Sequence, residues 1–294
     1  MMNYRMDGKK MFAIFNYLFL IVLGLICVAP LLNTLAISLS SASAVAMGDV
    51  LFFPSSFSLD AYTFIATRSE FLTALNVSVV RVIVGSILQM LVTFISAYPL
   101  SRENRDFSMR TVYVWFFMFT ILFSGGIVPL YMQVKTQGML DSMMALVLPT
   151  SLAVFNIVLM INFFRILPRE LDESFRIDGA GHWTLLWRLY FPLSLPAFAT
   201  ILLLAMVGHW NSWFDGMLFM NQTENYPIAT YLRSIIVSFD FSNVRSEDAA
   251  LLASISPRTT KSAQIILATL PILCVYPFLQ RYFVTGLVLG SVKG

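Results

Sequence analysis

Charge is scarce in this chain. Only 12% of its 294 residues are Asp, Glu, Lys or Arg, about half the share of a soluble domain. A chain so poor in charge cannot cover itself with a polar surface, and the solvent that fits is lipid. Cysteine is rarer still. Cys27 and Cys274 both lie in apolar runs, which excludes a disulfide framework and reads as small packing residues. The two histidines, His182 and His209, have no partner at metal-ligand spacing. No G-x-x-x-x-G-K-[ST] loop occurs, so nothing here cradles a nucleotide phosphate. No nucleophile–base pair stands out. Neither a catalytic residue nor a metal site is expected, and any energy the protein uses must come from a partner.

What is abundant is long apolar stretches. Charge-free runs cover residues 11–48, 82–101, 111–134, 142–164, 189–214 and 262–280. Each is long enough to cross a hydrocarbon core, which takes about 20 residues of helix. None alternates in polarity, so barrel strands are excluded. The expectation is an all-α polytopic membrane protein of six transmembrane helices, at about 11–39, 71–99, 111–134, 142–164, 192–220 and 262–283. Pro30, Pro129, Pro149 and Pro271 fall in or near these spans, where neighbouring helices can satisfy freed carbonyls, so they read as kinks, and Gly125-Gly126 with Pro129 interrupts the third span. Lys9, Lys10, Arg102, Arg105, Arg110, Arg165, Arg169, Arg176 and Arg188 crowd one set of short loops, which assigns those loops and both termini to the cytoplasm. Basic residues ahead of the first run and Ala42-Ser43-Ala44 after it also fit a cleaved signal. The run exceeds the roughly 7–15 residues of a signal core, which favours a retained helix.

The loop between the fourth and fifth spans, 165–191, is unlike the others. Pro168 can open a helix at no cost in hydrogen bonds. Glu170, Asp172 and Glu173 then sit in its first turns, where the helix dipole favours negative charge. Asp172 and Arg176 are four apart in the better orientation. Gly179 can take the left-handed conformation that ends a helix. A second helix follows, with Trp183, Leu186, Trp187 and Tyr190 on one face toward the membrane interface, until Pro192 and Pro196. Such an elbow suits docking on another protein, and an ordinary solvated loop with an interfacial helix fits equally.

These residues also carry a resemblance. Glu173, Asp178-Gly179-Ala180, Phe191-Pro192-Leu193 and Pro196 resemble the "EAA" loop of ABC importer permeases, although Glu173-Ser174-Phe175 departs from Glu-Ala-Ala. Ser96-Ala97-Tyr98-Pro99-Leu100-Ser101-Arg102, the Trp210–Phe214 segment and the tail from Gln280 are similar to carbohydrate permeases of the maltose-transporter type. Gly125-Gly126 with Pro129 and Tyr131 resembles the branch handling polysaccharide-derived oligosaccharides.

The resemblance implies a type I importer fold. It implies an N-terminal tail, helix and outer loop (1–70), a five-helix core (71–284) and a cytoplasmic tail (285–294) in a bacterial inner membrane. Its partners would be membrane lipid, a second permease subunit, two ATP-binding subunits that hold ATP and Mg, and an extracytoplasmic sugar-binding protein, with no nucleic acid. Loop 168–196 would couple to the ATPase through Glu173, Asp178, Gly179 and Ala180, with Glu173 inserted in its cleft and Gly179 as hinge.

Polar residues at membrane depth are functional candidates by default: Asn76, Arg81, Asn156, His209, Asn211 and Asp215, with Trp210 and Trp213 able to stack on sugar rings. Trp210, Asn211, Trp213 and Asp215 are the expected substrate path. Arg81 can instead snorkel outward, Asn156 can bond a neighbouring helix, and His209 can be a packing residue. The outer loop 221–261 exceeds a mere turn and reads as the binding-protein surface or a passive lid. Importers of polyamines or amino acids share the elbow but usually lack the other motifs. A secondary transporter would show an inverted repeat and a membrane enzyme a buried acid or histidine cluster; neither is apparent.

Overall fold

The computed structural model describes the backbone of residues 4–66, 69–237 and 256–291. Arg68, residues 238–255 of the expected outer loop and the last three residues of the expected tail lie outside the described residues. The described residues are helical, joined by turns and one isolated bridge, as an apolar chain with no water to bond its amides must be.

Contacts divide the chain into two units, 1–69 with 234–269 and 70–233 with 270–294. In the first unit, α1 (Tyr4–Ser38) carries the first expected span. Its apolar stretch Lys9–Ser38 is long enough to cross a membrane, and no part of its most apolar window is buried. The segment expected as an outer loop folds into α2 (Ala42–Met47) and α3 (Asp60–Ala66). Ser40 bridges Phe57, Ser41 N–H donates to Ser56 O at 2.9 Å, and Ser58 N–H to Leu39 O at 2.9 Å. Ala36, Ile37, Ala44, Val45 and Val50 form the small core beneath.

The second unit is organised on α4 (Ser69–Ser101), an apolar helix half buried along its length. The third span is interrupted where Gly125-Gly126 stands. It is α5 (Arg110–Leu122) and α6 (Ile127–Thr136), bent by 112°. Gly126 at φ +89° makes the turn, a conformation that favours glycine. Pro129 falls in the first turn of α6, where its missing N–H leaves no orphan carbonyl, so it opens a helix rather than kinking one. The fourth span is likewise divided, into α7 (Met143–Val147) and α8 (Val154–Ile166), with a non-helical stretch at Pro149.

Next come α9 (Arg169–Ile177) and α10 (His182–Leu193), then α11 (Leu195–Asn211), bent 82° from α10. The last elements are α12 (Phe214–Phe219), α13 (Ile228–Val237) and α14 (Pro257–Ser291). Among the described residues, two helices can cross a membrane alone, and two more spans arise if each bent pair is one crossing.

The largest core joins α4, α8, α10 and α11 around Phe94, Met160 and Leu185. Phe94 packs edge-to-face on Phe164 at 5.4 Å and on Phe191 at 5.6 Å. In lipid the gain comes from packing rather than from leaving water, and rings supply it in this geometry.

Candidate functional site

The elbow is built as its sequence dictates. Pro168 stands at the N-cap of α9 with extended backbone, and Glu170 and Asp172 fill the first turn. Gly179 N–H closes on Arg176 O at 3.0 Å and Ala180 N–H on Phe175 O at 2.9 Å. Gly179 has φ +81°, and a Cβ there would meet nothing within 4 Å. Backbone conformation alone, not space, therefore requires the glycine.

The two faces of α9 differ. Glu170, Glu173, Ile177, Asp178 and Gly179 are exposed, Ile177 at 86%. Asp172 is buried, while Phe175 and Ala180 pack against the main core. Asp172 Oδ2 accepts from Arg102 Nη1 at 2.7 Å and from Arg176 Nε at 2.9 Å, and Oδ1 accepts from the Tyr190 hydroxyl at 3.4 Å. Arg176 also lies 3.6 Å from Asp106, and Arg169 lies 2.5 Å from Glu103. Arg102 rests over the Tyr98 ring at 4.4 Å and the Tyr190 ring at 4.9 Å. Burial works against its charge, but the Asp172 hydrogen bond and nearby Tyr190, Tyr98 and Asp172 outweigh it, so the guanidinium is held above its ordinary value. Sequence reasoning gave Asp172 only its helical partner. The missed tie is Arg102, which closes the Ser96–Arg102 motif; a basic residue fixed at a helix end was the available signal.

The second half of the elbow departs from its expected face. Residues Leu185–Tyr190 form a π turn, whose wider i→i+5 spacing rotates the helix beyond it. Leu185, Leu186, Leu189 and Tyr190 are buried, whereas Trp183 is 65% exposed and Trp187 42%. The inward face is thus one of leucines and Tyr190, and Trp183 does not share it.

Farther back along α4, Arg81 does not snorkel. It is fully buried and bonded to both carboxylate oxygens of Asp215, with Nη1 also donating to Ser212 O at 3.1 Å and Nη2 to Leu146 O at 3.5 Å. Asp215 Oδ1 accepts from Ser212 Oγ and Gly216 N, each at 2.9 Å. The pair thus holds the break between α11 and α12. Both charges are legible as intramembrane residues; that they neutralise each other is visible only in space.

The other expected path residues scatter. Trp210 is buried among Val82, Met206 and Pro271. Asn211 is exposed, and Trp213 faces away to lie under Arg233 at 5.1 Å. Trp210 and Trp213 diverge because the helix ends between them, at Asn211. His209 is buried so close to α4 that a Cβ on Gly85 would fall 2.6 Å from its ring. Asn156 is buried and Asn76 exposed.

On the opposite side from the elbow, Asp141 (φ 58°) accepts from Asn221 N at 2.6 Å, Asn221 Nδ2 at 2.9 Å and Gln222 N at 3.1 Å. The Gln222 and Asn221 amides hold its carboxyl below the usual carboxylate range.

Known proteins share this architecture. Protein LplC of Bacillus subtilis (strain 168) is 38% identical over 97% of this chain and 96% of its own length. The polygalacturonan/rhamnogalacturonan transport system permease protein YtcP of the same organism is 38% identical over 97% and 99%. A chain in the crystal structure of a bacterial ABC transporter involved in the import of the acidic polysaccharide alginate superposes with TM-score 0.86 at 30% identity. The superposition covers 94% of this chain and 98% of that one. Residues 89–288 match the binding-protein-dependent transport system inner membrane component family, and the chain belongs to that family.

Proposed function

We propose that this chain is a permease subunit of an ATP-driven, binding-protein-dependent importer of oligosaccharides released from polysaccharides, acidic ones included. The reading rests on one observation above all. The elbow presents Glu173, Asp178 and Gly179 outward on a short helix while Asp172 fixes its inner face to Arg102. A rigid handle with an exposed acidic face can take charge-assisted hydrogen bonds from a separate motor and pass its motion to the bundle.

In this reading the five-helix core 71–284 forms half of the path, beside a second permease subunit, in a bacterial inner membrane. Six spans place both termini in the cytoplasm. Two ATP-binding subunits hold ATP and Mg and carry all the catalysis. An extracytoplasmic sugar-binding protein docks on the 221–261 side, with the exposed Asn211 and Trp213 nearest the sugar and with Trp210 and Asp215 holding the helix break behind them. The substrate class is supported by the transport systems of YtcP and of the alginate transporter.

The test is coupled transport in proteoliposomes carrying the complete complex and its binding protein. Gly179→Val puts a β-branched residue at φ +81°, and Glu173→Lys reverses the exposed charge. Both are expected to insert normally and to lose most substrate-stimulated ATPase and uptake. Wild-type stimulation in both variants, or uptake by this chain with no ATPase present, would refute the reading.

A further inference from the structure

Between α9, the end of α8 and the loop after α4 lies a cavity of about 700 Å³. Six arginines line it, Arg102, Arg105, Arg110, Arg165, Arg169 and Arg176, against four carboxylates. Three of those carboxylates are already engaged, Glu103 by Arg169, Asp106 by Arg176 and Asp172 by both Arg102 and Arg176. Arg105, Arg110 and Arg165 form no ion pair among the described residues, and only Glu173 is left to offset them. At the cavity wall the Arg102 side chain is 9% exposed, with Nε and Nη2 buried and without a hydrogen-bond partner. Asp172 and the two tyrosine rings stabilise its charge, but these N–H groups remain open to an acceptor, and in a low dielectric such donors act strongly on an anion.

The position of these charges says which anion. Arg102 follows α4, Arg110 opens α5 and Arg165 lies in the last turn of α8. All three mark ends of apolar helices, the depth at which lipid phosphates sit. Phe164, Leu167 and Tyr190 supply apolar lining on the same cavity. A basic pocket between helix ends beside an apolar wall matches a phosphate headgroup with the start of its acyl chains.

We propose that this cavity binds the phosphate headgroup of an anionic phospholipid, with Arg105 and Arg165 as its direct ligands. Arg102 and Arg110, whose Nε donates to Leu100 O at 2.9 Å, are fixed positive charges behind them. A lipid seated there touches the same arginines that fix the elbow through Asp172, so membrane composition bears on how firmly the elbow is held. The binding claim does not depend on the importer reading, because lipid retention is measured without transport.

The experiment is native mass spectrometry of the complete complex with phosphatidylglycerol or phosphatidylethanolamine added, for wild type, Arg105→Gln/Arg165→Gln and Arg188→Gln. Arg188 is a basic residue of the same region that does not line the cavity. Wild type is expected to retain phosphatidylglycerol over phosphatidylethanolamine. The double variant should lose that preference roughly tenfold while melting at the same temperature, and Arg188→Gln should keep it. If the double variant fails to assemble, Arg165→Gln alone should show the same loss at smaller amplitude. Equal retention of both lipids by wild type, as when an ATPase subunit fills the cavity instead, would overturn the proposal. So would an undiminished preference in the folded variants. Displacement of phosphatidylglycerol by millimolar inorganic phosphate would overturn the lipid source and assign the site to soluble phosphate.

Discussion

Arg81 within α4 and Arg102 just past its end each hold an aspartate, and the two clamps are built differently. Arg81 grips Asp215 in a dry one-to-one pair, Arg81 fully buried and the Asp215 side chain 15% exposed. Some 20 residues on, at about 1.5 Å each, Arg102 grips Asp172 in a shared network. There the carboxylate also serves Arg176 and Tyr190, and Arg176, 36% exposed, reaches on to Asp106. The distance of about 30 Å between the clamps is that of a hydrocarbon core. Their aspartates flank the same stretch of chain, Asp172 in the elbow and Asp215 beyond α11. A dry pair has no substitute partner and fixes a position. Asp172 is as enclosed as Asp215, at 12% side-chain exposure, but it is shared with the 36%-exposed Arg176, which has Asp106 as a second partner.

Cutting the dry clamp should have the largest effect. Asp215→Ala leaves Arg81 buried and unpaired, which costs about 3–5 kcal/mol, and should appear as lost assembly or a much lower melting temperature. Arg81→Met with Asp215→Leu should recover most of that loss, because an apolar pair leaves no charge behind. A lone Asp215→Ala that melts like wild type would erase the distinction between the clamps.

Cutting the shared clamp should be milder for folding and harsher for coupling. Asp172→Asn keeps the shape and removes the charge, a loss of about 1–3 kcal/mol, because the amide oxygen can still accept from the buried Arg102 and Arg176 retains Asp106. The complex is expected to assemble while basal ATPase no longer responds to the loaded binding protein. An Asp172→Asn complex that fails to assemble would put the two clamps in one class.

The smallest effect concerns Asp141, whose lowered carboxyl pKa belongs to an exposed group. A depressed pKa contributes stability that is present above the ordinary carboxylate range and lost as pH falls through the folded value. Asn tolerates the positive φ of this position, so Asp141→Asn isolates the charge. Wild type should melt slightly higher than the variant at neutral pH, and the two should converge below about pH 3.8. A constant gap across that window would rule out the charge as its cause.

The elbow was legible because its signals are local. Pro168, the acidic first turn and Gly179 act within a few residues of themselves, and the structure places Gly179 at the left-handed φ that helix termination needs. The π turn at Leu185–Tyr190 was not legible, since an i→i+5 register leaves no periodic mark in six residues. The interruption of the third span was legible at Gly125-Gly126. The break in the fourth was not, although Pro149 stands at it, because proline is tolerated within helices when neighbours satisfy the backbone. Trp210 and Trp213 looked like one aromatic cluster because they are three apart, yet a helix end between them sends the rings to different neighbours.

The sequence by itself determined that this chain lives in lipid, that it is helical, and where its elbow bends. Those three properties come from the scarcity of charge, from the backbone's need for internal hydrogen bonds, and from the φ of one glycine. Only the tertiary structure decided which charges meet. Arg81 finds Asp215 across 134 positions, and Arg102 finds Asp172 from a helix end far back in the chain. Packing α4 against α7 through α12 sets those distances, and no local pattern records them.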